Sequence, residues 1–236
     1  NNTLADGGKV LIPIPAVGRA QEIMMVIDHY MKSGEMVEAP VFTEGMISEA
    51  SAIHESYPEY LARELKQKIL ETDDNPFDSE YFTNIEHADA REEPMREDSP
   101  CIILATSGML EGGPVLEYFK NIAPDKKNKV LFVSYQVNGT LGRRVLDGSK
   151  QATMLGKEGK VEIVTINCSV EKLDGFSGHS DYNQLMSFVQ KLRPKLRRVL
   201  VNHGERSKSK NLAMNIGRMY KLPAHFPQVQ EAIKLF

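Results

Sequence analysis

The sequence predicts an α/β fold with mainly parallel strands, and three observations carry that expectation. Short apolar runs of strand length alternate with amphipathic stretches of helical period along most of the chain. Several of the junctions between them carry glycine-bearing turns, as tight strand-to-helix connections require. No internal repeat or low-complexity segment interrupts the alternation.

The elements follow in order. Residues 9–15 read as a buried strand, and 20–32 as a helix with Ile23, Val26, Ile27 and Tyr30 on one apolar stripe. Val41, Phe42 and Thr43 form a short strand ahead of a helix expected over about 47–70. Residues 71–100 are acidic and broken by Pro76, Pro94 and Pro100, which predicts a surface excursion with little regular structure. Alternation then resumes: strand 101–105, helix 115–121, strand 130–135, helix 140–146, strand 161–168, helix 181–192, strand 198–201 and helix 208–220. Residues 229–236 read as an edge strand.

Composition narrows the function classes. With 236 residues, 41% of them hydrophobic, the chain can bury a substantial core as one large domain or two smaller ones. No apolar run reaches bilayer-spanning length, so no membrane role is expected. Residues 1–8 lack a starting Met, a basic segment and an apolar signal core, and read as a cut edge. Cys101 and Cys168 lie in apolar strand patterns without Cys-x-x-Cys spacing, which predicts buried free thiols in a reducing, cytoplasmic setting. The charge is divided unevenly. Residues 1–118 hold 8 Lys and Arg against 23 Asp and Glu, whereas residues 119–236 hold 21 against 9. A polyanionic ligand would meet the second half; a solvated basic face is the plain alternative.

Three turns share a chemistry suited to phosphate: Ala16-Val17-Gly18-Arg19, Thr106-Ser107-Gly108-Met109, and Asn138-Gly139-Thr140-Leu141-Gly142-Arg143-Arg144. Glycine exposes backbone N–H groups, a following helix N-terminus favours anions, and Arg19, Arg143 and Arg144 can add charge-assisted bonds. None of the three matches the dinucleotide fingerprint or the P-loop, so a bound mononucleotide is disfavoured. An extended sugar–phosphate backbone fits several separate anion sites better.

Two histidines concentrate the remaining signal. His179 lies in Gly175-Phe176-Ser177-Gly178-His179-Ser180-Asp181-Tyr182, and His203 in Val201-Asn202-His203-Gly204-Glu205. Each stands where a strand pattern gives way to a helix pattern, and an imidazole there can bind a metal or move a proton near neutral pH. A hydrogen-bonded turn residue is the plain reading of either one alone. Asp181 is placed to cap the following helix. Glu205 either orients His203 or complements a helix N-terminus. His29, His54, His87 and His225 read as surface or partly buried residues, and Met24, Met25, Met186, Met214 and Met219 as core filler. Basic tracts at 191–198 and 206–210 flank the two histidine segments.

The His179 segment resembles motif B of the β-CASP nucleases, a nucleic-acid-cutting branch of the metallo-β-lactamase fold, and the His203 segment resembles their motif C. Residues 8–13 and 18–22, Ala105-Thr106-Ser107-Gly108-Met109 and Gly139-Thr140-Leu141-Gly142-Arg143 are similar to the family as well. The resemblance covers nearly the whole chain and is closest to the cleavage and polyadenylation specificity factor type, archaeal members included.

The resemblance implies a Rossmann-like β-CASP domain over residues 1–160, truncated at its start, and the C-terminal part of a metallo-β-lactamase domain over 161–236. It implies that His203 ligates one of two zinc ions and that His179 is catalytic, acting beside the scissile phosphate. It implies RNA or phosphate contacts from Gly18, Arg19, Ser107, Gly108, Gly139, Thr140, Arg143 and Ser177, with Glu205 supporting His203. A histidine in motif C marks RNA-directed members, where DNA-directed ones typically carry valine. The intact protein would be a zinc-dependent ribonuclease, endonucleolytic with 5′-to-3′ exonuclease action, serving RNA 3′-end processing and transcription termination. It would act as a homodimer and meet the transcription machinery. The family's upstream His-x-His-x-Asp-His motif is absent here, and one ligand cannot build a zinc site needing three or more protein donors. This piece alone is therefore expected to bind no zinc and to be inactive. The competing readings are a noncatalytic RNA-binding scaffold and a small-nucleotide enzyme.

Overall fold

The computed structural model describes residues 1–72, 74–96, 100–156, 159–176 and 178–235. The chain divides into two compact units, Asn1–Ser177 and Gly178–Phe236.

The first unit is built on a six-stranded sheet. Its strands are β1 (Val10–Pro13), β2 (Val41–Glu44), β3 (Phe82–Asn84), β4 (Ile102–Ala105), β5 (Lys129–Phe132) and β8 (Ser169–Lys172), in the spatial order β3-β2-β4-β1-β5-β8. Every pairing in it is parallel. Parallel strands are shielded on both faces, and the apolar runs follow from that. Leu11, Ile103 and Val130 pack with Tyr118 and Phe119 of α5 (Val115–Ile122) and Val145 of α6 (Leu141–Leu146). Their neighbours Ile12, Ile102 and Leu104 face the other way, onto Ile23, Met24 and Ile27 of α2 (Arg19–Lys32) and Ile47 of α3 (Ile47–Ser56). A short α1 (Asn2–Ala5) precedes the sheet and buries Leu4. The α/β expectation with mainly parallel pairing holds.

Several elements differ from the sequence reading. The helix expected over 47–70 divides into α3, a 3-10 turn Pro58–Tyr60 and α4 (Arg63–Glu71). Pro58 has no N–H to donate and restricts the residue before it; Tyr57 accordingly sits at φ −128°, outside the helical region. The strand expected over 161–168 is shorter: β7 (Val161–Thr165) turns back antiparallel on β6 (Gln151–Leu155), a strand not anticipated. Val164 and Ile166 point inward while Val161 and Ile163 point outward, so one apolar run serves two faces. The chain then enters the sheet as β8. The excursion at 71–100 keeps only β3 and a 3-10 turn Ala88–Glu92 among its described residues.

The second unit contains α7 (Tyr182–Leu192), β9 (Val199–Leu200), α8 (Arg206–Tyr220) and β10 (Ala224–His225), with β9 and β10 paired in parallel. Met186, Val189, Ile216 and Leu222 form its small core. The edge strand expected over 229–236 is absent from its described residues. That tail is held by side chains instead: His225 Nε2 meets Glu231 Oε1 at 2.8 Å, and Arg198 Nη1 donates to the Lys234 carbonyl at 3.0 Å.

Cys101 and Cys168 are buried and free, as expected, and burial pushes both thiols up to about 11. Of the methionines read as core filler, Met24 and Met186 are buried, whereas Met214 and Met219 are 63% and 60% exposed. No helix among the described residues is long and apolar enough to cross a membrane.

Candidate nucleic-acid interface

The three glycine turns leave the carboxyl ends of β1, β4 and β5, which are adjacent in the sheet in the order β4-β1-β5. In an open parallel sheet that edge is where ligands bind. The turns are also tied to one another. Gly108 lies so close to β1's exit that a Cβ there would stand 2.8 Å from Pro15 Cδ. Gln136 Nε2 donates to the Gly108 carbonyl at 2.9 Å, and Gly142 N–H donates to the Met109 carbonyl at 2.9 Å.

Much of the donor capacity at these turns is already used inside the protein. Gly18, at φ +79°, begins α2, and its N–H donates to Gln21 Oε1 at 2.7 Å. Arg19 pairs with Glu22, and its guanidinium lies 5.9 Å from the centre of the Phe176 ring. Ser107 and Gly108 do not open a helix: residues 106–114 form turns, with Ser107 Oγ accepting from Glu111 N–H at 3.2 Å. At α6 the Thr140 hydroxyl oxygen accepts from Arg143 N–H at 3.2 Å, and the Leu141 N–H donates to Glu111 Oε1 at 2.5 Å. Arg143 Nε meets Asp147 Oδ2 at 2.8 Å. Gly139, at φ +95°, supplies the turn ahead of Thr140. An RNA phosphate at these turns would exchange partners with these internal bonds.

The second unit carries the two histidines. His179 is exposed, two residues ahead of Asp181. Asp181 caps α7 as the sequence suggested: its Oδ1 accepts from Gln184 N–H at 2.8 Å, and its own N–H donates to Gln184 Oε1 at 2.9 Å. His203 is exposed between β9 and α8, in the left-handed region at φ +66°, with its N–H donating to Asn202 Oδ1 at 2.7 Å. Glu205 begins α8 and pairs with Lys208 at 3.1 Å. Ser177 lies outside the described residues. Among the described residues no three or more His, Cys, Asp and Glu side chains gather as a metal site. His203 by itself does not fit a complete zinc site.

Four residues that sequence reasoning passed over hold this edge in shape. Gln136 is 1% exposed and links two of the turns. Gln21 reaches the Ala16 carbonyl and Ser51 Oγ, both at 3.1 Å. Glu111 bridges to α6. Glu44, at the end of β2, binds Arg91 and the Tyr118 hydroxyl. A polar residue at a strand's carboxyl end was the only cue available for Glu44.

The β-CASP domain model matches residues 20–145. The chain belongs to the β-CASP family. Residues 163–227 match a second model, the Zn-dependent metallo-hydrolase RNA specificity domain. The chain is 81% identical over 236 residues to the transcription termination factor FttA of Cenarchaeum symbiosum, covering 100% of this chain and 37% of that protein. It is 47% identical over 235 residues to the FttA of Pyrococcus horikoshii and 45% identical over 235 residues to that of Methanocaldococcus jannaschii, again across 100% of this chain and 36% and 37% of theirs. The chain thus spans little more than a third of the length of these β-CASP relatives.

Proposed function

We propose that this chain is the RNA-engaging part of a zinc-dependent ribonuclease that hydrolyses RNA phosphodiester bonds during 3′-end processing and transcription termination. The observation that carries the reading is the three tied turns at one sheet edge, in a chain whose other matched segment is a metallo-hydrolase RNA specificity domain. Residues 1–160 are read as the β-CASP part and 161–236 as the C-terminal part of a metallo-β-lactamase domain. The name shared by the long archaeal relatives supports a place in termination. A cytoplasmic homodimer that meets the transcription machinery belongs to the same reading and follows from the family resemblance.

Each residue's part is the one the family resemblance implies, and its chemistry agrees. Backbone N–H groups and hydroxyls at Gly18, Ser107, Gly108, Gly139, Thr140 and Ser177, with Arg19 and Arg143, hold successive phosphates. Protonated His179 donates its proton to the departing ribose oxygen as the P–O bond breaks and water supplies the new one. His203 is assigned to one zinc ion of the full-length protein, with Glu205 supporting it. Among the described residues no three such donors gather, and the 236-residue chain alone is expected to be inactive because one ligand cannot hold zinc. Endonucleolytic cutting with 5′-to-3′ exonuclease action is the form expected.

The test uses the full-length protein and a 5′-labelled single-stranded RNA. His179→Ala should keep RNA affinity within about threefold and lose cleavage by about 100-fold or more. Cleavage at the parental rate removes His179 from the reaction. RNA binding without any cleavage by the parent protein favours the scaffold reading instead.

A further inference from the structure

Glu111 brings a carboxylate into an edge suited to anions. It belongs to the second glycine turn and reaches across to the third, where its Oε1 accepts from Leu141 N–H at 2.5 Å. Its own N–H donates to Ser107 Oγ at 3.2 Å. One exposed acid therefore touches both a residue read as a phosphate contact, Ser107, and the immediate neighbour of another, Thr140.

The backbone on either side fixes where Glu111 projects. Leu110 sits in the left-handed region at φ +56°, with its side chain 2% exposed. That conformation is costly for a residue with a Cβ and persists where packing holds it. On the other side Gly113, at φ +77°, passes so close to Thr106 that a Cβ would stand 2.6 Å from the carbonyl oxygen. The neighbouring acids are held differently. Glu22 pairs with Arg19 and Asp147 with Arg143, three and four positions away, and both acids are half-exposed. Surface pairs of that kind exchange with solvent at little cost. Glu111 comes instead from a separate turn and binds a backbone N–H, a contact that leaves its charge in place.

We propose that Glu111 is a specificity-determining residue of this edge: its carboxylate competes with the RNA backbone for the third turn and limits how tightly RNA is held. The inference rests on the reading of the edge as the RNA site. A phosphate approaching Gly139, Thr140 and Arg143 meets a like charge already bonded to Leu141 between them. Full engagement requires the carboxylate to let go. The edge therefore favours a ligand that offers several phosphates in succession, since the gain from a single anion is set against a lost internal bond. A weaker hold also speeds release of the strand, because affinity is tuned mainly through dissociation.

The experiment uses the full-length protein and a 5′-fluorescein single-stranded RNA with phosphorothioate linkages, which resist hydrolysis. Glu111→Gln keeps an acceptor for Leu141 N–H and removes only the charge. Anisotropy should show binding about 3- to 10-fold tighter at low salt, the size expected for unit charges near contact even in water. The gain should shrink as salt rises. Glu111→Ala, which also loses the bond, should lower the melting temperature while Glu111→Gln barely moves it, so tighter binding is not the effect of a loosened fold. Arg143→Gln is the control and should weaken binding about 3- to 10-fold through a lost phosphate contact. If Arg143→Gln weakens binding while Glu111→Gln binds no more tightly than the parent, the inference is overturned and Glu111 is only a brace between turns. If neither substitution changes RNA affinity, the RNA reading of this edge fails and the inference with it.

Discussion

Glu44 and Arg91, 47 positions apart, form a forked ion pair: Arg91 Nε lies 2.9 and 3.0 Å from the two carboxylate oxygens. The Tyr118 hydroxyl donates to the same carboxylate. Glu44 ends β2, Arg91 comes from the acidic excursion and Tyr118 from α5, so one nearly buried charge ties three separate segments together. Burial, and then the bond to Glu44, raises the Tyr118 hydroxyl above its usual range.

Glu44→Gln should destabilise the protein by about 2–3 kcal/mol, because hydrogen bonds to a charged group are the strong ones and Arg91 loses its counter-charge. Tyr118→Phe, which removes one donor, should cost about 1–2 kcal/mol. Urea unfolding of both variants checks this. Equal stability of Glu44→Gln and parent would mean the pair contributes nothing beyond solvation.

Gly142→Ala tests how tightly the third turn is held. A Cβ there would stand 2.0 Å from Gln136 Oε1 and 2.8 Å from the Met109 carbonyl oxygen. Moving both linked turns should cost about 1–3 kcal/mol and weaken RNA binding with it. Gly139→Ala meets no neighbour within 4 Å, but its φ of +95° still strains a side chain. That loss should be about 1–2 kcal/mol without the same packing disturbance. Thermal melts separate the two from the parent, and near-ultraviolet spectra should change for Gly142→Ala alone.

Asp74 gives a pH signature. Hydrogen bonds from Lys32 and Lys68 hold its carboxyl below the usual carboxylate value. The folded form therefore binds this proton less readily than the unfolded chain, and stability falls as pH drops below about 4, towards the lowered folded value. The groups are over a third exposed, so the gain above that window should be only about 0.5–1 kcal/mol. Asp74→Asn should reduce the acid sensitivity of the melting temperature. An unchanged pH profile would show that the bridges contribute nothing.

The basic tract Lys191, Arg193, Lys195, Arg197 and Arg198 is solvent-exposed in the second unit. Replacing Lys191, Arg193 and Lys195 together by Gln should lower RNA affinity and reduce the salt slope, each lost phosphate contact removing roughly 0.7 from it on single strands. Fluorescence anisotropy across a salt series reads both quantities. A lower affinity with an unchanged slope would place these residues off the RNA.

The alternation of strands and helices was legible because each parallel strand is buried on two faces and so reads as one apolar run. The break at Pro58 was also visible in principle, since proline's missing donor is a local property. The β6–β7 hairpin was not: Val161 and Ile163 face outward beside the inward Val164, and no local rule says which side a neighbour will cover. Met214 and Met219 misled for the same reason, having helical spacing on a face that the second unit leaves exposed.

The order of glycine turns and histidine segments, and the resemblance they carry, came from the sequence alone, because turn chemistry and motif spacing are properties of consecutive residues. That the three turns leave adjacent strands, that Gln136 already binds the Gly108 carbonyl and Glu111 the Leu141 N–H, and that Glu44 holds Arg91 across 47 positions were decided only by the fold. Those relationships depend on which strands become neighbours, and strand order is set by long-range packing.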